Sequence, residues 1–239
     1  MQSKLKIHTL QLVTPNIDDY AVYSIASIFH FCKKNQLTYS VQRESLIDDM
    51  HINWTKIQLL KNALSSCDEA TDFVLLIDAD TIIFKPDTDL SDFLGKFLND
   101  NCHILMPQDN PTNPFKRNRP NAGFIVVRNS KKGKEIIDQW LVDARGACAH
   151  LNDQHPRNQR VFWNCVQPKF AQHLVIMPLS YFHKRSSKAF IHHFMKRKGD
   201  HRRKKMKKVY HTVHVNGIPT EVLSKLHQKT GQIDFLKAN

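Results

Sequence analysis

Asp78, Ala79 and Asp80 follow directly on the unbroken apolar run Phe73–Ile77. Two carboxylates one residue apart, where a buried strand opens into a loop, can grip one hard divalent cation without either being buried unpaired. Magnesium or manganese held there can bridge two phosphates of a nucleotide diphosphate. It then acts as a Lewis acid toward the charge that grows on a departing phosphate. Acidic residues also cap turns, so the spacing alone divides evenly between the two readings. The apolar approach favours the cation.

Such a triplet needs a sheet to carry it. Residues 7–13 read as a buried strand, with Thr14, Pro15 and Asn16 as the loop after it. Tyr20, Tyr23, Ser24, Ser27, Ile28 and Phe31 then recur at helical spacing, and Tyr39 and Val41 mark a second strand. Asn53 is placed to cap a helix whose buried stripe is Trp54, Ile57, Leu60 and Leu64, which leaves Lys56 off that stripe. Residues 82–84 suit a short edge segment, and Leu90, Phe93, Leu94 and Leu98 have helical spacing. Residues 104–106 suit a further strand.

Residues 107–120 are rich in Pro and Asn and aperiodic, a loop length that compact domains reserve for function. Residues 124–127 form a strand, 133–142 a helix, and 152–165 a helix broken near Pro156. Alternating strands and helices predict an α/β fold with a mostly parallel sheet and helices on both faces. Ligands are then expected at the carboxyl ends of the strands, where the triplet lies.

The 41% hydrophobic content suffices for a globular core. The five cysteines lie apart with no CxxC pair, which suggests reduced thiols rather than a zinc cage or a disulfide framework. No leading apolar run is long enough to span a bilayer, so a cytoplasmic protein is expected. The net charge of +13 is local: residues 184–208 hold twelve Lys or Arg against Asp200 and account for +11 of it. A segment of this kind is a solvated face, a phosphate-binding stretch or a polyanion contact. Aromatics are sparse between its cations, which disfavours a nucleic-acid reading surface.

Several blocks together resemble glycosyltransferase family 34, the α-galactosyl, α-mannosyl and α-xylosyl transferases of GT-A fold. Virus-encoded GT-A domains of large algal viruses are similarly close. The matching residues are Trp54-Thr55-Lys56-Ile57; Asp78-Ala79-Asp80; Asn121 and Gly123 followed by a strand and Arg128-Asn129-Ser130; Asp153-Gln154; and His193-Phe194. They run in family order over roughly residues 12–198. The resemblance implies a single GT-A-like catalytic domain over residues 1–239. About 1–106 would bind nucleotide and metal, and about 107–239 would shape the donor-sugar and acceptor side.

It further implies Asp78, Asp80 and His193 as ligands of manganese or magnesium, with Lys56 and Lys198 near the diphosphate. Thr14, Asp78, Ala79, Asn121, Ala122 and Gly123 would contact the donor, and Asp153 and Gln154 would lie at the anomeric carbon. Donor and acceptor would be a UDP-sugar and a glycan, with retention of configuration. Where the family has glycine three residues after the histidine, Lys196 stands here. His192 allows a one-residue slip, and His211 or His214 are alternatives if the basic segment is a loop. Two rivals are weighed on the residues. A sugar nucleotidyltransferase is disfavoured because residues 12–16 lack the glycines of a phosphate loop, and a nucleic-acid-binding or nuclease protein would have to use residues 184–208.

Overall fold

The computed structural model describes residues 4–109, 118–182, 186–195 and 199–237. In chain order the elements are β1 (Ile7–Leu12), α1 (Asp18–Asn35), β2 (Thr38–Gln42), α2 (Thr55–Ser66), β3 (Phe73–Ile77), β4 (Thr81–Ile83) and α3 (Leu90–Gly95). There follow β5 (Ile104–Pro107), β6 (Phe124–Arg128), α4 (Lys131–Arg145), α5 (Asn158–Val161), α6 (Gln167–Phe170) and β7 (Leu174–Met177). The chain closes with β8 (Ile191–His193), α7 (Gly199–Val213), α8 (Thr220–Lys225) and β9 (Gln232–Leu236). The fold is mixed α/β, with a seven-stranded, mostly parallel central sheet flanked by helices.

The chain packs as two compact units, each drawn from separate stretches of sequence. The first comprises residues 1–7, 45–76 and 94–179. Its strands run in the order β7-β5-β6-β3, with β5 antiparallel to β6 and parallel to β7. Every residue of β3 is buried, as its unbroken apolar run requires of a strand covered on both faces. Helix α4 starts two residues ahead of the span predicted from periodicity because Ser130 caps it, accepting from the Gly133 amide. Gly133 is obligatory there: a Cβ would collide with the Arg128 carbonyl.

The second unit comprises residues 8–44, 77–93 and 180–239. Strand β2 lies between β1, to which it is parallel, and antiparallel β9. A separate two-stranded ribbon pairs β4 with β8. Helix α1 buries Ile25, Ile28, Phe29 and Phe31, and its acidic first turn and basic last turn suit the helix dipole. Burial and the nearby imidazole of His30 push His214 down to about 4; it stacks on His30 and meets the Ser27 hydroxyl at 3.0 Å.

Several expectations need correction. Asn53 does not cap α2. A short 3-10 turn, Ile52–Trp54, precedes that helix, and the capping acceptor is the His51 ring, which takes the Asn53 amide. Residues 152–165 are not one helix: turns run to a cis His155–Pro156 peptide, followed by α5 and a π-helical turn, Phe162–Val166. Helix α3 stops at Gly95, short of Leu98. Cys148 and Cys165 are joined as a disulfide across Cα atoms 6.6 Å apart, while Cys32, Cys67 and Cys102 are free. The π-helical turn returns Cys165 toward the end of α4, a proximity that spacing along the chain does not encode. Among the described residues no helix is long and apolar enough to cross a membrane.

Candidate active site

In the second unit the turn after β3 is held through its main-chain carbonyls. The Asp78 carbonyl accepts from the Thr81 hydroxyl at 2.7 Å and from Gln11 Nε2 at 3.2 Å. Gln11 is fixed in turn by Ser24 and Tyr39, all buried. Strand β8 pairs Thr81 with His193, and the Phe194 amide donates to the Asp80 carbonyl at 2.8 Å. That register brings His193 Nε2 to 3.0 Å from Asp80 Oδ1 and 3.7 Å from Asp78 Oδ2.

One ligand atom from each of Asp78, Asp80 and His193 lies within 4.8 Å of the others. Among the described residues this is the one group of three or more His, Cys, Asp or Glu so placed. Two hard oxygens and one imidazole suit manganese or magnesium in their donor chemistry. The neighbouring histidines lie elsewhere. Strand alternation turns His192 to the opposite face, where it stacks on Phe194 at 4.0 Å. His211 packs edge-on to Tyr23 and Tyr210, and His214 is buried against Ser27. The stretch 199–213 is a helix rather than a loop.

Around this group stand residues that sequence reasoning missed. Arg202 on α7 lies 3.6 Å from Asp80 Oδ2, donates to the Tyr20 hydroxyl at 3.0 Å and stacks over the Tyr20 ring. Burial pushes the Tyr20 hydroxyl above its ordinary value; Arg202 opposes that rise and Asp80 adds to it. Arg202 was legible only as one cation among twelve. Thr14 ends the segment after β1, and Ala79 is buried at the centre of the triplet. Lys198 lies outside the described residues.

In the first unit three other blocks share one hydrogen-bonded network. Lys56 Nζ donates to the Ala122 carbonyl at 3.4 Å, and the Ala122 amide donates to Gln159 Oε1 at 2.8 Å. Asn121 takes the Gly123 amide on its side-chain oxygen and donates to Asp109, which locks the turn. Trp54 Nε1 donates to the Asn152 carbonyl, and Asn158 Nδ2 to the Asn53 carbonyl, tying the start of α2 to the 152–159 turn. Gln159 and Asn158, both buried, are the joints of this network, and nothing in their spacing announced it. Asp153 and Gln154 sit on that turn at the surface; Asp153 pairs with Arg157 at 3.6 Å, and Gln154 accepts from Arg160 at 2.8 Å.

The model of the family described as nucleotide-diphospho-sugar transferase matches residues 26–228. Among solved structures the chain is similar to a glycosyltransferase involved in glycosylation of the major capsid of PBCV-1. The TM-score is 0.70 at 14% identity, over 85% of this chain and 99% of that one. It is also similar to the galactosyltransferase LgtC in complex with donor and acceptor sugar analogues, with TM-score 0.57, 11% identity, and 91% and 99% of the two chains covered. The glycosyltransferase GlyE of Streptococcus pneumoniae TIGR4 matches with TM-score 0.56 at 13% identity, over 86% of this chain and 61% of that one. No curated protein sequence matches the chain. At such identities the structures speak to the fold, which is GT-A, while the family model speaks to the chemistry. The chain belongs to the nucleotide-diphospho-sugar transferase family and is a nucleotide-sugar-dependent glycosyltransferase.

Proposed function

We propose that the protein is a metal-dependent transferase that moves a hexose or pentose from a UDP-sugar to a hydroxyl of a glycan or similar acceptor, with retention. The observation that carries this is the convergence of Asp78, Asp80 and His193 at the carboxyl end of β3. When bound there, manganese or magnesium supplies Lewis-acid charge beneath the diphosphate. Residues 1–239 act as a single GT-A-like catalytic domain.

The chain's own residues do the rest. Asp78, Asp80 and His193 hold the ion, and Thr14 and Ala79 flank the nucleotide. Lys56 adds positive charge on the donor side, and Lys198 is kept as a second diphosphate lysine. Asn121, Ala122 and Gly123 present a rigid turn to the sugar. Gln154 orients the substrate, and Asp153 stabilises positive charge at the anomeric carbon. The bond from that carbon to the phosphate oxygen breaks as the bond to the acceptor oxygen forms on the same face. The acceptor's proton passes to the departing phosphate, so no strong protein base is needed.

Family membership favours this reading over the nucleotidyltransferase and nucleic-acid alternatives. Arg203, Lys204, Lys207 and Lys208 form an exposed stripe on α7, which supports a polyanion contact as an accessory property of that helix. The test is incubation with Mn²⁺ and a panel of UDP- and GDP-sugars, with free nucleotide measured. Slow release from at least one UDP-sugar is expected, abolished by chelation and by Asp80→Ala. Release that survives both counts against the proposal.

A further inference from the structure

Helix α7 brings the Arg202 cation to the cluster. Arg203 and Lys204 are closed on Asp200 at 2.5 and 2.7 Å in exposed local pairs. Arg202 instead lies on the stripe of Met206 and Tyr210, both fully buried and spaced four residues apart along the inner face. The stripe carries its guanidinium against Tyr20 and Asp80.

Among the described residues its donors are mostly unspent. Arginine offers five N–H donors in a fixed planar fork. One reaches the Tyr20 hydroxyl at 3.0 Å, and the Asp80 carboxylate at 3.6 Å is beyond hydrogen-bonding distance. Nε is buried with no acceptor among the described residues. A cation in the first turn of a helix also opposes the helix dipole, a placement that an anion in front of it would reverse. The Tyr20 ring, 5.0 Å from the guanidinium carbon, gives the fork a platform that does not depend on Asp80.

We propose that Arg202 is a phosphate-contacting residue of the donor site. It balances Asp80 when that carboxylate carries no cation, and it turns its fork onto the terminal phosphate oxygens of the nucleotide diphosphate when Asp80 is engaged as a ligand. This rests on the reading of Asp78, Asp80 and His193 as the cation site beneath the diphosphate. Planar guanidinium and phosphate match as a two-point, charge-assisted pair, which the loose contact to Asp80 is not.

Calorimetry on the parent, Arg202→Gln and Arg202→Lys tests this with Mn²⁺ alone, then with UDP and with UMP in the presence of Mn²⁺. Arg202→Gln is expected to bind Mn²⁺ at least as tightly as the parent, because a competitor for Asp80 has gone. Its UDP affinity should fall on the order of 10- to 100-fold, the range for one charge-assisted contact. UMP, which lacks the terminal phosphate, should bind within about twofold of the parent, an outcome that a merely structural role would not give. Arg202→Lys keeps the charge without the fork, so its UDP affinity should fall between the two, and it carries the test if the Gln variant does not fold. Parental UDP binding by the variants, or equal loss of UDP and UMP, would overturn the proposal. A parent that binds neither Mn²⁺ nor UDP refutes the donor-site reading itself, and this inference with it.

Discussion

Replacing Asp78 by Asn tests whether the acidic pair is arranged for a cation rather than for stability. Carboxylate oxygens of Asp78 and Asp80 lie within 4.8 Å of each other. At an effective dielectric of about 20, two unit charges at that distance repel by about 3.5 kcal/mol. Both side chains are partly exposed, at 21% and 15%, so water screens some of this. His193 and Arg202 offset more of it, chiefly at Asp80, since His193 stands 3.0 Å from Asp80 but 3.7 Å from Asp78. Asp78 is thus the less closely compensated of the two by His193 and Arg202. Its removal should leave a net gain of about 1–2 kcal/mol, a rise in metal-free Tm of about 2–8 °C for a chain of this size. The parent should gain about 2.7 kcal/mol from Mn²⁺ at a hundredfold excess over Kd, or about 5–11 °C, and Asp78→Asn should lose most of that gain. Differential scanning fluorimetry with and without Mn²⁺ reads both. A metal-free Tm below the parent's, or a manganese shift of parental size, refutes the reasoning.

Gln159→Leu strands the buried Ala122 amide, which should cost about 1–3 kcal/mol and weaken UDP-sugar binding, whereas Gln159→Glu keeps the acceptor and should recover most of both; thermal melts and calorimetry check this. His214, pushed down to about 4 from an ordinary 6.5, favours its neutral form in the fold, so its contribution is fully present above pH 6.5 and is lost as pH falls toward 4. Urea titrations should show stability falling over that window with a slope approaching about 1.4 kcal/mol per pH unit from this group, and His214→Gln should flatten it.

How legible these parts were depended on whether a pattern lies within one element or between several. The apolar run of β3, and the triplet at its end, are properties of consecutive residues, so the strand and its carboxyl terminus could be read directly. The pairing of that triplet with a histidine over a hundred residues later became readable only through family resemblance. The choice of His193 over His192 is a matter of strand register, visible once Thr81 is seen opposite His193. Residues 152–165 misled because Asn158 and Gln159 serve distant backbone groups rather than helical periodicity, and a π-helical turn follows them. The Cys148–Cys165 link was hidden for the same reason: it follows from how a turn returns the chain, not from spacing.

The compensation of Asp80 distinguishes the proposed cation site from a structural metal centre. Small domains built on a structural zinc site of thiolates and imidazoles unfold without metal. Here Asp80 meets His193 at 3.0 Å and Arg202 at 3.6 Å, and its backbone carbonyl is held by Phe194. The Asp78 carbonyl is likewise held by Thr81 and Gln11. The carboxylates are thus positioned by hydrogen bonds to their own main-chain carbonyls and by the β4–β8 ribbon. On the proposed reading, positioning that does not depend on an ion would let a catalytic cation enter and leave with the nucleotide. On that reading Asp78→Asn and Asp80→Ala would change Mn²⁺ and nucleotide affinity by more than they change folding stability.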